Sequence, residues 1–158
     1  MKQHHYEIQV AWTGNQGQGT KTYATYKRDY TITAPGKPPV LASADPGFRG
    51  DPARYNPEDL LVASLSACHM LSYLHLCAVN KIVVTEYQDD ARGVMNERPD
   101  GSAAFAEVTL HPHVTISEDS DEAKALSLHE QAHHLCFIAN SVNFPVNNVA
   151  QISVATLR

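Results

Sequence analysis

The sequence predicts an α+β protein in the order βββ-α-ββ-α-β, and three observations predict this class. Apolar and polar residues alternate in the N-terminal third of the 158-residue chain, as in half-buried strands. A continuous apolar segment near the middle carries helix-start signals, and two later alternating segments meet at a Pro-Asp-Gly turn. Hairpins mixed with helices give the α+β class. The length predicts one domain spanning residues 1–158.

The first and third predicted strands flank a longer second one. Residues 6–13 alternate, and we expect the face that carries Ile8, Val10 and Trp12 to be half-buried. A short third strand is predicted near residues 39–44.

The second predicted strand, residues 20–33, has an arginine on its apolar face. Arg28 shares that face with apolar and aromatic side chains: Ala24, Tyr26, Tyr30 and Ile32. Burying an unpaired charge is costly, so Arg28 either has an anionic partner or packs its stem and sends its head to water. The sequence leaves both possibilities open.

A Pro- and Gly-rich loop over residues 35–57 precedes the central helix and contains Arg49 and Arg54. A loop of this length in a compact domain is more often functional than idle.

The central helix is predicted to begin at Pro57 and to end near Val79. Asn56 is a good N-cap, proline suits the first helical position, and Glu58 and Asp59 favour the positive end of the helix dipole. Apolar or small residues follow on every side, which is typical of a buried helix. Its polar members are therefore expected to be at least partly buried: Cys68, His69 and His75.

Two strands are predicted next, residues 81–96 and 103–116, joined by the turn at 97–102. The inward face of the second carries Ala104, Ala106, Val108, Leu110, Val114 and Ile116. His111 and His113 fall on the opposite, wetter face.

A second helix is predicted over about residues 120–135, followed by a short helical turn, a loop and a last strand, "VAQISVATL", residues 149–157. The buried stripe of this helix is expected to hold Ala125, Leu128, Ala132 and Leu135.

Charge and composition narrow the partners. The net charge is −5 with no run of Lys or Arg, which argues against nucleic acid and anionic membranes as partners. The N-terminus lacks the apolar core of a signal peptide. The longest apolar stretch, residues 60–79, is interrupted by His69, Ser72 and His75 and is too polar to span a bilayer comfortably. We expect a cytoplasmic protein.

The three cysteines are Cys68, Cys77 and Cys136. An odd count without a secretion signal argues against a structural disulfide framework, so each is either a core residue or a reactive one. Cys77 has apolar neighbours and is interpreted as structural. It lies nine residues after Cys68, roughly 13 Å along the same helix, too far for a disulfide. Within one chain, Cys136 is the feasible partner for either.

Residues 129–133 spell H-E-x-x-H, the two-histidine helix of zinc peptidases. A zinc hydrolase using His129, Glu130 and His133 is one candidate function. A catalytic zinc needs a third ligand, but no Asp or Glu follows Glu130 and no His follows His134. We therefore expect no metal.

The segment "NPEDLLVASLSACHM", residues 56–70, resembles the signature of the OsmC/Ohr family, the osmotically induced and organic-hydroperoxide-resistance proteins. In that family an N-P-E helix start leads to a buried cysteine ten residues after the glutamate, and a second cysteine follows some 60–70 residues later. Glu58, Cys68 and Cys136 match these positions. The resemblance covers essentially the whole chain and implies the OsmC-like α+β fold and an intertwined homodimer with sites at the interface.

The resemblance also implies a thiol-dependent peroxidase without a cofactor. Cys68 would attack the hydroperoxide, Cys136 would condense with the resulting sulfenic acid to a disulfide, and an external dithiol would reduce it. A non-catalytic redox-sensing or ligand-binding member of the same fold is a further alternative.

The family supports its thiolate with an arginine held by a glutamate, which is Glu58 by position. Arg49 fits the arginine by position, and Arg54 is a third candidate, but we favour Arg28, which strand alternation turns inward beside Tyr26 and Tyr30. Glu58 and Cys68 on one straight helix are about 15 Å apart. A shared site therefore needs a bent helix or a second subunit.

Overall fold

The computed structural model describes residues 1–156 and divides into two compact units, residues 1–60 and residue 61 onward. It contains nine short strands and two α-helices, so the mixed α+β class is confirmed. The expectation of a single domain stays a prediction. Each unit is described in turn.

The N-terminal unit is built on a three-stranded antiparallel sheet in the order β1-β2-β3. Its strands are β1 (Gln9–Trp12), β2 (Tyr30–Thr33) and β3 (Val40–Ala42), each shorter than predicted. Arg28 precedes β2 instead of lying within it.

The apolar face of β1 was expected to be half-buried, and this was wrong for the single chain. Ile8 is 68% exposed and Val10 is 58% exposed. The alternation of the strand is real, but the N-terminal unit supplies no layer that covers this face.

The first helix, α1 (Pro57–Val79), has the predicted bounds. Its start is a reciprocal cap: the Asp59 N–H donates to Asn56 Oδ1 at 2.8 Å, and the Asn56 N–H donates to Asp59 Oδ2 at 3.1 Å. These local signals are strong enough to fix the helix start from sequence.

Burial of α1 is one-sided, which corrects the expectation of a helix buried all round. Its buried residues form one stripe: Leu65, His69, Tyr73, Leu76 and Cys77. On the other side Leu71 is 63% exposed and Val79 is 62% exposed. Cys68 is half-buried as expected, whereas His75 is exposed.

By length and composition alone, α1 is apolar enough to cross a membrane, contrary to the expectation from its polar residues. This is weak evidence, because the core helix of a soluble protein meets the same criterion. The buried stripe of α1 belongs to the packed interior of the protein.

The predicted hairpin is present, but both arms are broken. The first arm consists of β4 (Val84–Asp89) and β5 (Arg92–Glu97), and the second of β6 (Ala103–Leu110) and β7 (Pro112–Ile116). β4 pairs with β7 and β5 pairs with β6, both antiparallel. The inward face is buried only toward its end, at Val108, Leu110, Val114 and Ile116, while Ala104 and Ala106 are exposed.

The second helix, α2 (Glu122–Leu135), connects this hairpin to the final strands. Asp121 caps it by accepting the Lys124 N–H at 3.0 Å. The predicted helical turn is present at Ala139–Ser141. Two strands then follow where one was predicted, β8 (Val146–Asn148) and β9 (Gln151–Val154), in parallel pairing with β6 and β7. The predicted strand end at residue 157 lies outside the described residues.

The buried stripe of α2 differs from the predicted one at its C-terminal end. Ala125, Leu128 and Ala132 are buried as expected, but Leu135 is 39% exposed. The buried positions are instead completed by His129 and Cys136. The stripe of α2 is thus partly polar, and it brings a thiol to the end of the helix.

Candidate active site

Cys68 and Cys136 come together in the C-terminal unit. Cys68 lies on α1, and Cys136 is the C-cap of α2. The Cys68 thiol lies near enough to Cys136 to raise the pKa of the Cys136 thiol. Both are free thiols here, and Cys136 is 1% exposed.

The Cys136 thiol lies in a turn of backbone N–H groups. The Ala139 N–H donates to Cys136 Sγ at 3.4 Å, and the Ile138 N–H lies near enough to lower the pKa of the thiol. Burial raises the pKa of the Cys136 thiol to about 11; the Ala139 N–H opposes this rise, and the Cys68 thiol adds to it. At neutral pH Cys136 is therefore a protonated thiol, as a second-step partner can be.

Cys77 is separate from this pair. It is 1% exposed and belongs to the core cluster that also contains Tyr73 and Leu128. Burial raises the pKa of its thiol, and a hydrogen bond with Tyr73 opposes the rise. Its packing agrees with the interpretation of Cys77 as a core residue.

A buried pair of histidines, His69 and His129, joins α1 to α2, and His69 directly follows Cys68 in sequence. His69 Nε2 lies 3.0 Å from His129 Nδ1, and the Asn148 amide nitrogen lies 2.8 Å from the same His69 atom. Tyr73 stacks face to face on His129, with ring centroids 3.8 Å apart. Among residues 1–156, the buried atoms His69 Nδ1 and His129 Nε2 have no hydrogen-bond partner.

Both histidines are held neutral. Burial lowers the pKa of His69 to about 4, against a rise from Asp89, and His133 lowers it further. Burial also lowers the pKa of His129 to about 3, and His69 contributes to that shift. The pair is therefore a neutral N–H···N contact at physiological pH.

The predicted cationic and acidic site residues lie in the N-terminal unit. The Arg28 guanidinium donates to the backbone oxygens of Tyr26 at 2.5 Å and Tyr23 at 2.6 Å, and it lies over both rings. Its partners are thus carbonyls and aromatic faces, not an anion. Burial raises the pKa of Tyr30, and the charge of Glu58 adds to this, so Glu58 lies near Tyr30.

The two loop arginines differ in their pairing. Arg54 lies 3.8 Å from Asp29 and 3.5 Å from Asp51, so its charge is offset within its own unit. Arg49 has a left-handed backbone, with φ of 66°, and its guanidinium lies 5.8 Å from the ring centroid of Tyr23. Among residues 1–156, no carboxylate lies within salt-bridge distance of Arg49.

The H-E-x-x-H residues do not converge as metal ligands. His129 is turned into the core and bonded to His69, whereas His133 and Glu130 are exposed. Over the described part of the chain, no three His, Cys, Asp or Glu side chains group closely enough to hold a metal ion. His129 instead belongs to the contact between the helices.

This contact is the part of the site that sequence reasoning missed. Both histidines occupy positions on apolar stripes, which was the available signal. The partners are 60 residues apart, and no local pattern pairs them.

Comparison with known proteins gives a consistent family. A family model described as OsmC-like protein matches residues 50–148. No curated protein matches the chain. An OsmC-like protein of unknown function from Vibrio cholerae shares 32% identity and a TM-score of 0.83, over 96% of this chain and 100% of that one.

Two further solved structures share the fold. An organic hydroperoxide resistance protein OsmC from Legionella pneumophila is 19% identical, with a TM-score of 0.68 over 98% of this chain and 100% of that one. The organic hydroperoxide resistance protein OhrB of Bacillus subtilis is 21% identical, with a TM-score of 0.60 over 94% of this chain and 98% of that one.

Proposed function

Because the chain belongs to the OsmC-like protein family, we propose that it is a thiol-dependent reductase of organic hydroperoxides that works in the cytoplasm. The family places it among proteins linked to redox chemistry and peroxide resistance. The observation that carries the finer proposal is the proximity of the Cys68 and Cys136 thiols.

In the proposed cycle the Cys68 thiolate attacks the terminal oxygen of the hydroperoxide. The O–O bond breaks, the alcohol leaves after taking up a proton, and Cys68 becomes a sulfenic acid. The Cys136 thiol then attacks the Cys68 sulfur and displaces water, which forms the disulfide. An external dithiol reduces this disulfide by exchange and is itself oxidised.

The roles of the two cysteines follow from their surroundings. Cys68 is half-buried and thus open to a small substrate, while Cys136 is buried and protonated at neutral pH. A peroxidatic residue must meet the hydroperoxide, whereas a resolving residue needs only to meet its partner cysteine. The burial of the two thiols supports Cys68 in the first role and Cys136 in the second.

The test is to treat the reduced protein with an organic hydroperoxide and locate the product disulfide by peptide mass spectrometry. We expect one Cys68–Cys136 bond per chain, and repeated turnover when a small dithiol is present. Oxidation of Cys68 without turnover in the presence of dithiol would instead indicate a redox sensor. An unreacted Cys68 would contradict both functions.

The cation that supports the Cys68 thiolate is proposed to be Arg49. Arg28 lies outside β2 and its guanidinium is already engaged by carbonyls, which counts against the strand argument for it. We expect Arg49→Met to reduce the thiolate absorbance of Cys68 at neutral pH and to slow hydroperoxide consumption at least about tenfold, because a thiolate near a cation is favoured over the thiol.

Arg28→Met is the matched variant, measured in the same pH titration of thiolate absorbance with Cys77→Ser present in both proteins. A loss of thiolate in Arg28→Met with none in Arg49→Met would reverse the assignment. No loss in either would place the cation elsewhere.

We further propose that the protein acts as a homodimer. Two exposed apolar surfaces support this: the β1 face of the N-terminal unit, with Ile8 and Val10, and the outer face of α1, with Leu71 and Val79. Apolar surfaces of this kind are typical of subunit interfaces.

A further inference from the structure

Helices α1 and α2 meet in a series of polar contacts. The Tyr73 hydroxyl donates to the Ala125 carbonyl oxygen at 2.9 Å, His69 Nε2 lies 3.0 Å from His129 Nδ1, and the Cys68 thiol lies near that of Cys136. Numbers rise along α2 as they fall along α1, so the helices run antiparallel. The histidine contact lies between the tyrosine contact and the thiol pair.

The histidine contact is a linear hydrogen bond between coplanar rings. The planes differ by 7°, and the centroids are 5.3 Å apart, which is the nitrogen–nitrogen distance plus one ring radius at each end. The rings therefore lie edge to edge, not face to face. Tyr73 covers one face of His129, and Asn148 of β8 reaches His69.

Such a contact fixes the register of the two helices. A slip of α2 by one residue would move the His129 ring by about 1.5 Å along the helix axis and rotate it by about 100° around that axis. Apolar neighbours such as Leu128 and Ala132 would find other apolar contacts after a slip. A buried hydrogen bond between two rings is directional, and losing it leaves His129 Nδ1 unsatisfied while His69 Nε2 keeps only its Asn148 contact.

We infer that the His69–His129 pair is a positioning device that holds Cys136 within disulfide-forming reach of Cys68. A disulfide requires Cα atoms about 4.4–6.8 Å apart and a narrow range of torsions, so a slip of one residue is enough to prevent it. The use of this device in turnover rests on the proposed function, but the positioning itself can be measured without a hydroperoxide.

The experiment equilibrates the protein with oxidised and reduced glutathione. Oxidised glutathione takes two electrons from the protein dithiol, which yields the Cys68–Cys136 disulfide and two reduced glutathione molecules. The equilibrium constant of this exchange gives the effective concentration of the Cys68 thiol relative to the Cys136 thiol. Cys77→Ser in every protein removes the third thiol.

The main variant is His69→Leu with His129→Leu, which replaces the hydrogen bond between the two rings by apolar packing. The half-buried Asn148 amide is the group that loses a partner in this variant. We expect a folded protein whose effective concentration falls at least about tenfold, or about 1.4 kcal/mol. His134→Gln, on the exposed side of the same helix, is the control and should leave the value unchanged. A value within twofold of the parent in the folded double variant would overturn the inference.

A second comparison covers the case in which the double variant does not fold. His129→Gln retains a side-chain amide that can bond His69, whereas His129→Phe retains the ring that stacks on Tyr73 but not the bond. We expect His129→Gln to stay closer to the parent value. Equal values for the two variants would show that packing alone positions the thiols.

The two proposals fail separately. A protein that does not reduce hydroperoxides but whose thiol pairing depends on the histidines would contradict only the peroxidase function. An active peroxidase whose thiol pairing does not depend on the histidines would contradict only the positioning role.

Discussion

Replacing Cys68 by serine is expected to abolish hydroperoxide consumption. A hydroxyl with a pKa far above that of a thiol cannot supply the nucleophile, and no other cysteine meets Cys136 in the described residues. The loss should exceed about a thousandfold relative to the parent. The measurement is the rate of organic hydroperoxide loss with a dithiol in excess.

Cys77→Ser is the matched control. It removes a thiol from the same helix, nine residues from Cys68, but from the core instead of the pair. Its activity should remain close to that of the parent, with some loss of stability. Full activity in Cys68→Ser would remove the basis of the enzyme proposal.

The folded protein is expected to lose stability as the pH falls from about 6.5 to 5, because two buried histidines resist protonation. Their pKa values are lowered to about 4 for His69 and about 3 for His129, below the unfolded value near 6.5. The unfolded chain therefore binds more protons in this window, and acid favours it. The expected loss is about 2–4 kcal/mol for the pair.

Urea unfolding at several pH values measures this loss. The variant with His69→Leu and His129→Leu should lack most of the dependence between pH 6.5 and 5, whereas His113→Gln, an exposed histidine of β7, should keep it. Parallel pH profiles for the parent and the double leucine variant would show that the pair does not carry the acid sensitivity.

The start of the central helix could be predicted to the residue because its signals are local. Asn56 and Asp59 cap each other within one turn, and proline begins the helix. The family resemblance rests on the same segment, so the fold class followed from it as well. Local patterns were sufficient wherever a residue's partner is a near neighbour in sequence.

The bounds of the strands were less well predicted, because alternation shows on which face of a sheet a residue lies but not where a strand is interrupted. The arm over residues 81–96 keeps its pattern while pairing with two different strands, and a register shift occurs between Val94 and Met95. The inward face of β6 and β7 was nevertheless right at its buried end.

The site residues show the same contrast between local patterns and contacts made by tertiary packing. Cys68 and Cys136 were paired through the family resemblance; the two thiols lie near each other in the structure, and their pairing as a disulfide stays a prediction. His129 was interpreted as a possible zinc ligand because H-E-x-x-H is a local pattern. Its actual partner, His69, lies on another helix, and only tertiary packing brings the two rings into contact.

The contact between the two thiols has a consequence for the folded state as a whole. Sixty-eight residues separate Cys68 from Cys136, and an unfolded chain seldom brings such distant groups together. A disulfide between Cys68 and Cys136 forms readily in the folded protein but rarely in the unfolded chain. It therefore increases the free energy of unfolding, by about 4 kcal/mol for a loop of this length. In each proposed turnover the protein would therefore also change in stability. The oxidised form would resist heat and proteolysis better than the reduced form, and reduction by the dithiol would remove that extra stability.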